Sequence, residues 1–236
     1  MYVWQGGMVG GTGTAMVLTG EVSPSGKLPD TIAYSVSDYP SDKYFGGGEE
    51  DRYGEDIYVG YRYFETFARD KVRFPFGFGL SYTTFGMAAE FTSGEDSVSA
   101  NVTVTNTGSV PGREVVQIYC EAPQGRLGKP ARVLCGFDKT WTIKPGESER
   151  LTIDIPVESL ASYDDSGATG NRYCWILEGG TYRFYVGADV RSARECFALD
   201  IPETVVRQCD SALAPVEGFQ RMRNSGGSVA FEEVHR

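Results

Sequence analysis

Five carboxylates lie close together at Glu49, Glu50, Asp51, Glu55 and Asp56, on a stretch opened by Gly46-Gly47-Gly48. Two such groups can divide acid and base work when burial and neighbours push their pKa values apart. On a glycine-rich loop a run of like charges is more often solvated, and here it reads first as a solvated run at the mouth of a site. Beside it stand Arg52, Tyr53, Tyr61, Arg62 and Tyr63. Aromatic rings stack on flat ligand faces, and guanidinium groups donate to ligand oxygens. Arg52, Tyr53, Tyr61 and Arg62 are therefore the candidate ligand-contacting residues. The competing reading is that they lock the loop between two domains.

Other stretches carry weaker signals. Trp4-Gln5 leads into Gly6-Gly7, which reads first as a structural turn and second as one where backbone can approach a ligand closely. "YDDSG" at 163–167 sets two carboxylates beside a hydroxyl, but six to eight oxygens are needed to hold Ca²⁺ and no EF-hand spacing appears, so it reads as a turn. "SGED" at 93–96 sits between two strand patterns and reads as a hairpin turn. The five cysteines are scattered without a C-x-x-C, and the single histidine is His235. This argues against a zinc site and for reduced thiols; neither metal nor cofactor is expected.

The formal net charge of −10 lacks the Lys/Arg clusters that a phosphate backbone requires, which disfavours nucleic acid as a partner. No apolar run reaches transmembrane length and no signal-peptide pattern appears, so the expected compartment is cytoplasmic, with no membrane partner.

The elements that must position these residues divide the 236-residue chain in four. Residues 1–35 read as the end of an α/β unit, with "MYVW" strand-like and "GMVGGTGTAMVLTG" a weak helix ended by "SPSGKLPDT". A chain opening on a strand end reads as a piece of something longer. Residues 36–85 read as a long, ordered, aromatic-rich loop crossing to the next domain. Within it Phe74, Phe76, Phe78, Tyr82 and Phe85 suit an interdomain clamp, with Gly77 and Gly79 permitting close backbone packing. Residues 86–201 switch to period two: Val98, Ala100, Val102 and Val104; Leu151, Ile153, Ile155 and Val157; Tyr182, Phe184 and Val186. Half-buried antiparallel strands read this way. The fold class is mainly β: a fibronectin type III/immunoglobulin-like β-sandwich, preceded by the partial α/β segment and the long loop. Residues 202–236 read as a connector, with a short helix and "NSGGS" as a flexible spacer.

In order, "GEVSPSGKLPDTIA", "YGEDIYVGYRYFE" and "FPFGFGLSYTTF" resemble the carboxyl-terminal half of glycoside hydrolase family 3. "VTNTGSVPGREVVQIYCEAP" and "KPARVLCGFDKTWTIKPGES" are similar to its fibronectin type III-like domain. The resemblance spans about residues 3–200. It implies retaining hydrolysis of β-linked sugars, of β-glucosidase type and without a cofactor, with a β-linked oligosaccharide or aryl glycoside as substrate. It also implies a TIM-barrel domain carrying the nucleophilic Asp, and a general acid/base upstream of "PSGKLP"; both fall outside this chain. "ALAPVEGFQRM" resembles the connector of bacterial members in which the barrel follows, so a barrel partner is expected and the chain alone is expected to be inactive. The rival reading is a stand-alone, non-catalytic module that binds carbohydrate or protein.

Overall fold

The structure is a computed structural model, and it describes residues 1–46, 53–212 and 217–234. The alternating segments form a two-sheet sandwich. One sheet has the order β3 (Phe85–Ser93), β4 (Ser97–Asn106), β7 (Ser148–Pro156). The other runs β11 (Arg194–Ile201), β10 (Gly180–Gly187), β5 (Val115–Glu121), β6 (Val133–Lys139). All pairings are antiparallel. Val98, Ala100, Val102 and Val104 of β4 and Leu151, Ile153 and Ile155 of β7 face Ile118, Tyr182 and Phe184 across one apolar core. A strand of period two can bury one face this way while Ser, Thr and Asp occupy the other. "SGED" is the β3–β4 turn, with the Gly94 N–H donating to the Ser97 carbonyl at 2.8 Å.

The alternation breaks in the middle of the second sheet. Val116 through Cys120 are all buried on β5, and Tyr185 is buried beside Phe184 on β10. The outer face of these strands is covered by the crossing segment, so both faces are apolar. That segment is less irregular than its composition suggests. It contains β1 (Ile32–Ala33) paired with β2 (Val72–Phe74), and between them the helix α2 (Tyr61–Phe67). The helix escapes sequence reading because "YRYFETF" is short and rich in strand-favouring aromatics. Burial of Phe64 against Ala33, Ala68 and Val72 overrides that preference.

The seam between segment and sandwich is aromatic. Phe76 stacks on Tyr61 at 4.5 Å, and Tyr61 meets the edge of Tyr119 at 6.2 Å. Tyr185, Val190 and Ala193 complete this second core. Gly77 has φ +81°, and a Cβ there would lie 2.3 Å from the Gln117 side chain. A Cβ on Gly79 would lie 2.4 Å from the Gly26 carbonyl. These two positions require glycine. They let "FPFGFG" bond directly to "GKLP": Gly77 N–H donates to the Leu28 carbonyl at 2.9 Å, and Leu28 N–H to Phe78 at 2.8 Å. Tyr82 departs from the expected clamp. It is half exposed, and its hydroxyl donates at 2.8 Å to the Val17 carbonyl in helix α1 (Gly10–Leu18). Beneath the clamp, the buried Glu65 carboxylate accepts from Arg191 at 2.9 Å and pairs with Arg69 at 3.2 Å.

Two terminal expectations are corrected. Residues 1–4 form no strand, since no described neighbour offers them a ladder, and α1 buries none of its residues. The tail is β structure rather than helix and spacer. β12 (Thr204–Gln208) pairs with β9 (Cys174–Leu177), which in turn pairs with β8 (Ser162–Asp164). β13 (Phe219–Ser225) and β14 (Ser228–Val234) form a hairpin. Gly226 and Gly227, at φ +60° and +88°, make the tight turn that "NSGGS" encodes. Among the described residues no helix is long and apolar enough to cross a membrane.

"YDDSG" is the turn after β8. The buried Asp164 carboxylate accepts from Ser166 Oγ, from the Gly167, Ala168 and Thr169 N–H groups, and from Thr169 Oγ1, at 2.7–3.3 Å. Burial alone would push its pKa up, but the hydrogen bonds led by Thr169 prevail and hold it down at about 2. Its stabilisation is therefore complete above the ordinary aspartate range and lost as pH falls toward 2. Asp164→Asn is expected to lower stability at pH 7 by about 1–3 kcal/mol. Thermal melts from pH 7 down to 2 should show this deficit shrinking as the pH falls; a constant deficit would place the effect in packing. Phe76→Ala is expected to cost stability toward the low end of about 3–5 kcal/mol, because the ring is half buried. Urea unfolding of the chain checks this, and an unchanged midpoint would dismiss the clamp.

Candidate functional site

A cleft of about 500 Å³ opens between the sandwich, the 54–62 segment and the carboxyl-terminal hairpin. Its floor is the β5–β6 edge, with Cys120, Leu134 and Cys135. One wall is a turn in which Asp56 takes φ +51° and Tyr58 N–H donates to the Glu55 carbonyl at 2.9 Å. Tyr58 then plunges inward. Its hydroxyl donates to the Gly128 carbonyl at 3.2 Å and accepts from the Asn224 N–H at 3.0 Å, and burial pushes its pKa up to about 12. The opposite wall is β13, stitched to the turn by Met222 N–H donating to Gly54 at 2.7 Å. Period two puts Arg221 and Arg223 on one face of β13, with Glu232 of β14 directly across from Arg221.

These charges are matched inside the cleft. Arg221 forks onto Asp165 at 2.5 and 2.8 Å, reaches Glu232 at 3.2 Å and lies 3.6 Å from Asp56. The paired carboxylates raise its pKa, led by the Asp165 hydrogen bonds. Arg223 donates to Glu232 at 2.5 Å and to the Leu127 carbonyl at 2.8 Å. Deeper in, the buried Lys129 ammonium donates to Glu178 and to the Pro123 carbonyl, the latter at 2.8 Å. Burial would raise the Glu178 pKa, but Lys129 and the Arg126 N–H hold it below the usual range. Burial raises that of Asp56 against the pull of Arg221. Asp56 and Asp165 thus share one guanidinium, Asp165 through the close fork and Asp56 at 3.6 Å. At the mouth, the rings of Tyr163 and Trp175 lie 5.4 Å apart.

The candidate residues separate here. Arg62 lines the cleft. Tyr53 is exposed at the start of the turn. Tyr61 is taken up by packing, and its hydroxyl accepts from the Leu134 N–H at 2.9 Å. Arg52, with Glu49, Glu50 and Asp51, lies outside the described residues, as does His235. Sequence reading missed Arg221, Arg223 and Trp175. The alternation in "QRMR" facing "FEE" is a strand-pair signal, and it was legible once the tail was read as a hairpin.

The model of the glycosyl hydrolase family 3 C-terminal domain matches residues 1–82, and that of the fibronectin type III-like domain matches residues 114–190. A beta-glucosidase of Ruminococcus albus is 58% identical over 235 residues, covering 99% of this chain and 25% of that protein. The crystal structure of a beta-glucosidase from Paenibacillus barengoltzii superposes with a TM-score of 0.93 at 48% identity, over 98% of this chain and 27% of that one. Beta-glucosidase 3B of Thermotoga neapolitana, solved in complex with alpha-D-glucose, gives a TM-score of 0.77 at 37% identity, over 86% of this chain and 28% of that one. The chain thus spans about a quarter of the length of these relatives. With both domain models matched in order on one continuous polypeptide, the chain belongs to glycoside hydrolase family 3.

Proposed function

We propose that this chain is the scaffold and site rim of a retaining glycosidase of β-glucosidase type. The observation that carries the reading is the 58% identity to the Ruminococcus albus beta-glucosidase, sustained over 99% of this chain. Retaining hydrolysis needs two carboxyl groups about 5–5.5 Å apart across the scissile bond, one as nucleophile and one as acid/base. The described cleft supports a non-catalytic role for this part, because Asp56 and Asp165 lean on Arg221. The nucleophile and the acid/base then lie outside this chain, with the nucleophile on a TIM-barrel domain that completes the site. Arg62, which lines the cleft, and the exposed Tyr53 support a rim role for this chain, and Arg52 joins them on its sequence position alone. Tyr61 contributes by holding α2 against the sandwich. The substrate is a β-linked oligosaccharide or aryl glycoside, the reaction uses no cofactor, and the compartment is the cytoplasm.

The test is hydrolysis of a chromogenic aryl β-glucoside panel by the 236-residue chain, alone and mixed with a separately expressed family 3 barrel. The expected result is no turnover alone and turnover on mixing. Turnover by the chain alone, abolished by Glu→Gln changes at Glu49, Glu50 or Glu55, would move the catalysts into the acidic loop and overturn the division of roles.

A further inference from the structure

A second groove, of about 620 Å³, lies where the ends of β7 and β11 and the start of β12 meet the β3–β4 turn. We propose that it docks an extended peptide segment of alternating basic and aliphatic residues, added to the open edge of β12. Pro156, Val157, Leu177, Pro202, Val205 and Val206 give the groove its apolar lining. The Val157 N–H donates to the Asp96 carbonyl at 2.9 Å, which ties the turn and the end of β7 into one wall.

The groove follows a backbone edge. Successive side chains of a strand point to opposite faces, so neighbours line one surface together only where it runs along the edge of the strand. Thr204 and Val205 are such neighbours, and both line this groove. Among the described residues β12 has one strand partner, β9, and its other edge is open. An open edge presents N–H and C=O groups to which an extended segment can add. Val205, an aliphatic side chain beside that edge, is 42% exposed. The ladder to β9 skips Val206, and this bulge sets Arg207 across from Trp175, on the other side from Val205 and Ile176.

Charge selects the residues of the segment. Glu95, Asp96 and Glu158 line the groove and are exposed, and no Lys, Arg or His lines it. The other charges on the adjoining elements do not offset them. Glu203 pairs with Arg126 and Glu178 with Lys129, while Asp154 of β7 and Asp200 of β11 add to the negative sign. Three carboxylates beside an aliphatic floor repel an acidic segment, and a neutral segment leaves them unmatched. A strand that alternates Lys with Val sets its aliphatic side chains on one face and its ammonium groups on the other. The valines enter the groove, and the long lysine side chains reach its rim. No residue of the cleft and no barrel is involved, so the test is independent of the proposed hydrolase role.

The experiment is fluorescence anisotropy of labelled acetyl-Lys-Val-Lys-Val-Lys-Val-amide titrated with the full chain. Saturable binding that weakens as salt rises is expected, with none for the Glu-Val counterpart. Changing Glu95, Asp96 and Glu158 together to Gln, Asn and Gln should weaken it about tenfold. Val205→Lys should weaken it as well. An equal neutralisation at Glu21, Asp70 and Glu147, which line no part of the groove, should leave it unchanged. In the unsubstituted chain, amide exchange at residues 204–206 should slow when the peptide binds, a readout that needs no variant to fold. Absence of binding, an equal loss from the remote neutralisation, or unaltered exchange at 204–206 would overturn the proposal. So would a dimer, seen by light scattering without peptide and abolished by the triple change at the groove, since that would give the groove to a second copy of this chain.

Discussion

The seating of Tyr61 and Phe76 on the Tyr119–Tyr185 face is the contact on which the rest of the arrangement depends. It converts one side of an ordinary sandwich sheet into an interior surface, which is why β5 is buried on both faces. An aromatic stack at 4.5 Å tolerates little lateral slip, and Gly77 and Gly79 remove the side chains that would hold the backbones apart. With α2 anchored by the stack, the Tyr61 hydroxyl takes the Leu134 N–H, and Thr66 Oγ1 takes the Ala131 N–H at 2.9 Å. The buried Glu65 pairs with Arg191 on the β10–β11 connection. A pair of this kind adds little net stability over an apolar contact, but removing one partner strands a buried charge. It therefore serves register more than strength.

The cleft inherits its shape from that seating. Residues 54–58 can form a wall because α2 follows immediately and is fixed to the sandwich. The hairpin then closes the other side through a main-chain bond from Met222 to Gly54 and the Asn224 N–H bond to the Tyr58 hydroxyl. The charges that accompany the hairpin are neutralised locally, although the chain as a whole carries −10. Inside a partly buried cleft this matching is required, since an unpaired charge there is far costlier than at the surface. One consequence is chemical: Asp165 and Glu232, each accepting from a guanidinium, are poor proton shuttles, which fits a rim better than a catalytic pair.

What the sequence by itself determined follows from local physics. Period two fixed the inner faces of β4, β7 and β10, because one face of each strand meets core and the other water. Gly and Pro marked the turns, and the glycines of "FPFGFG" announced a close approach that the Gln117 and Gly26 contacts account for. Only tertiary structure decided the rest. The outer face of β5 became a core because a segment remote in sequence covers it. "YRYFETF" became a helix because Phe64 found a pocket, and Tyr61 became a structural tie when it looked like a ligand contact. The tail became a hairpin whose Arg221 meets Asp165, more than fifty residues away in sequence and paired with it at 2.5 Å. Periodicity reports which side of an element is apolar. It carries no record of which distant element will arrive to cover it, and both walls of the cleft are such arrivals.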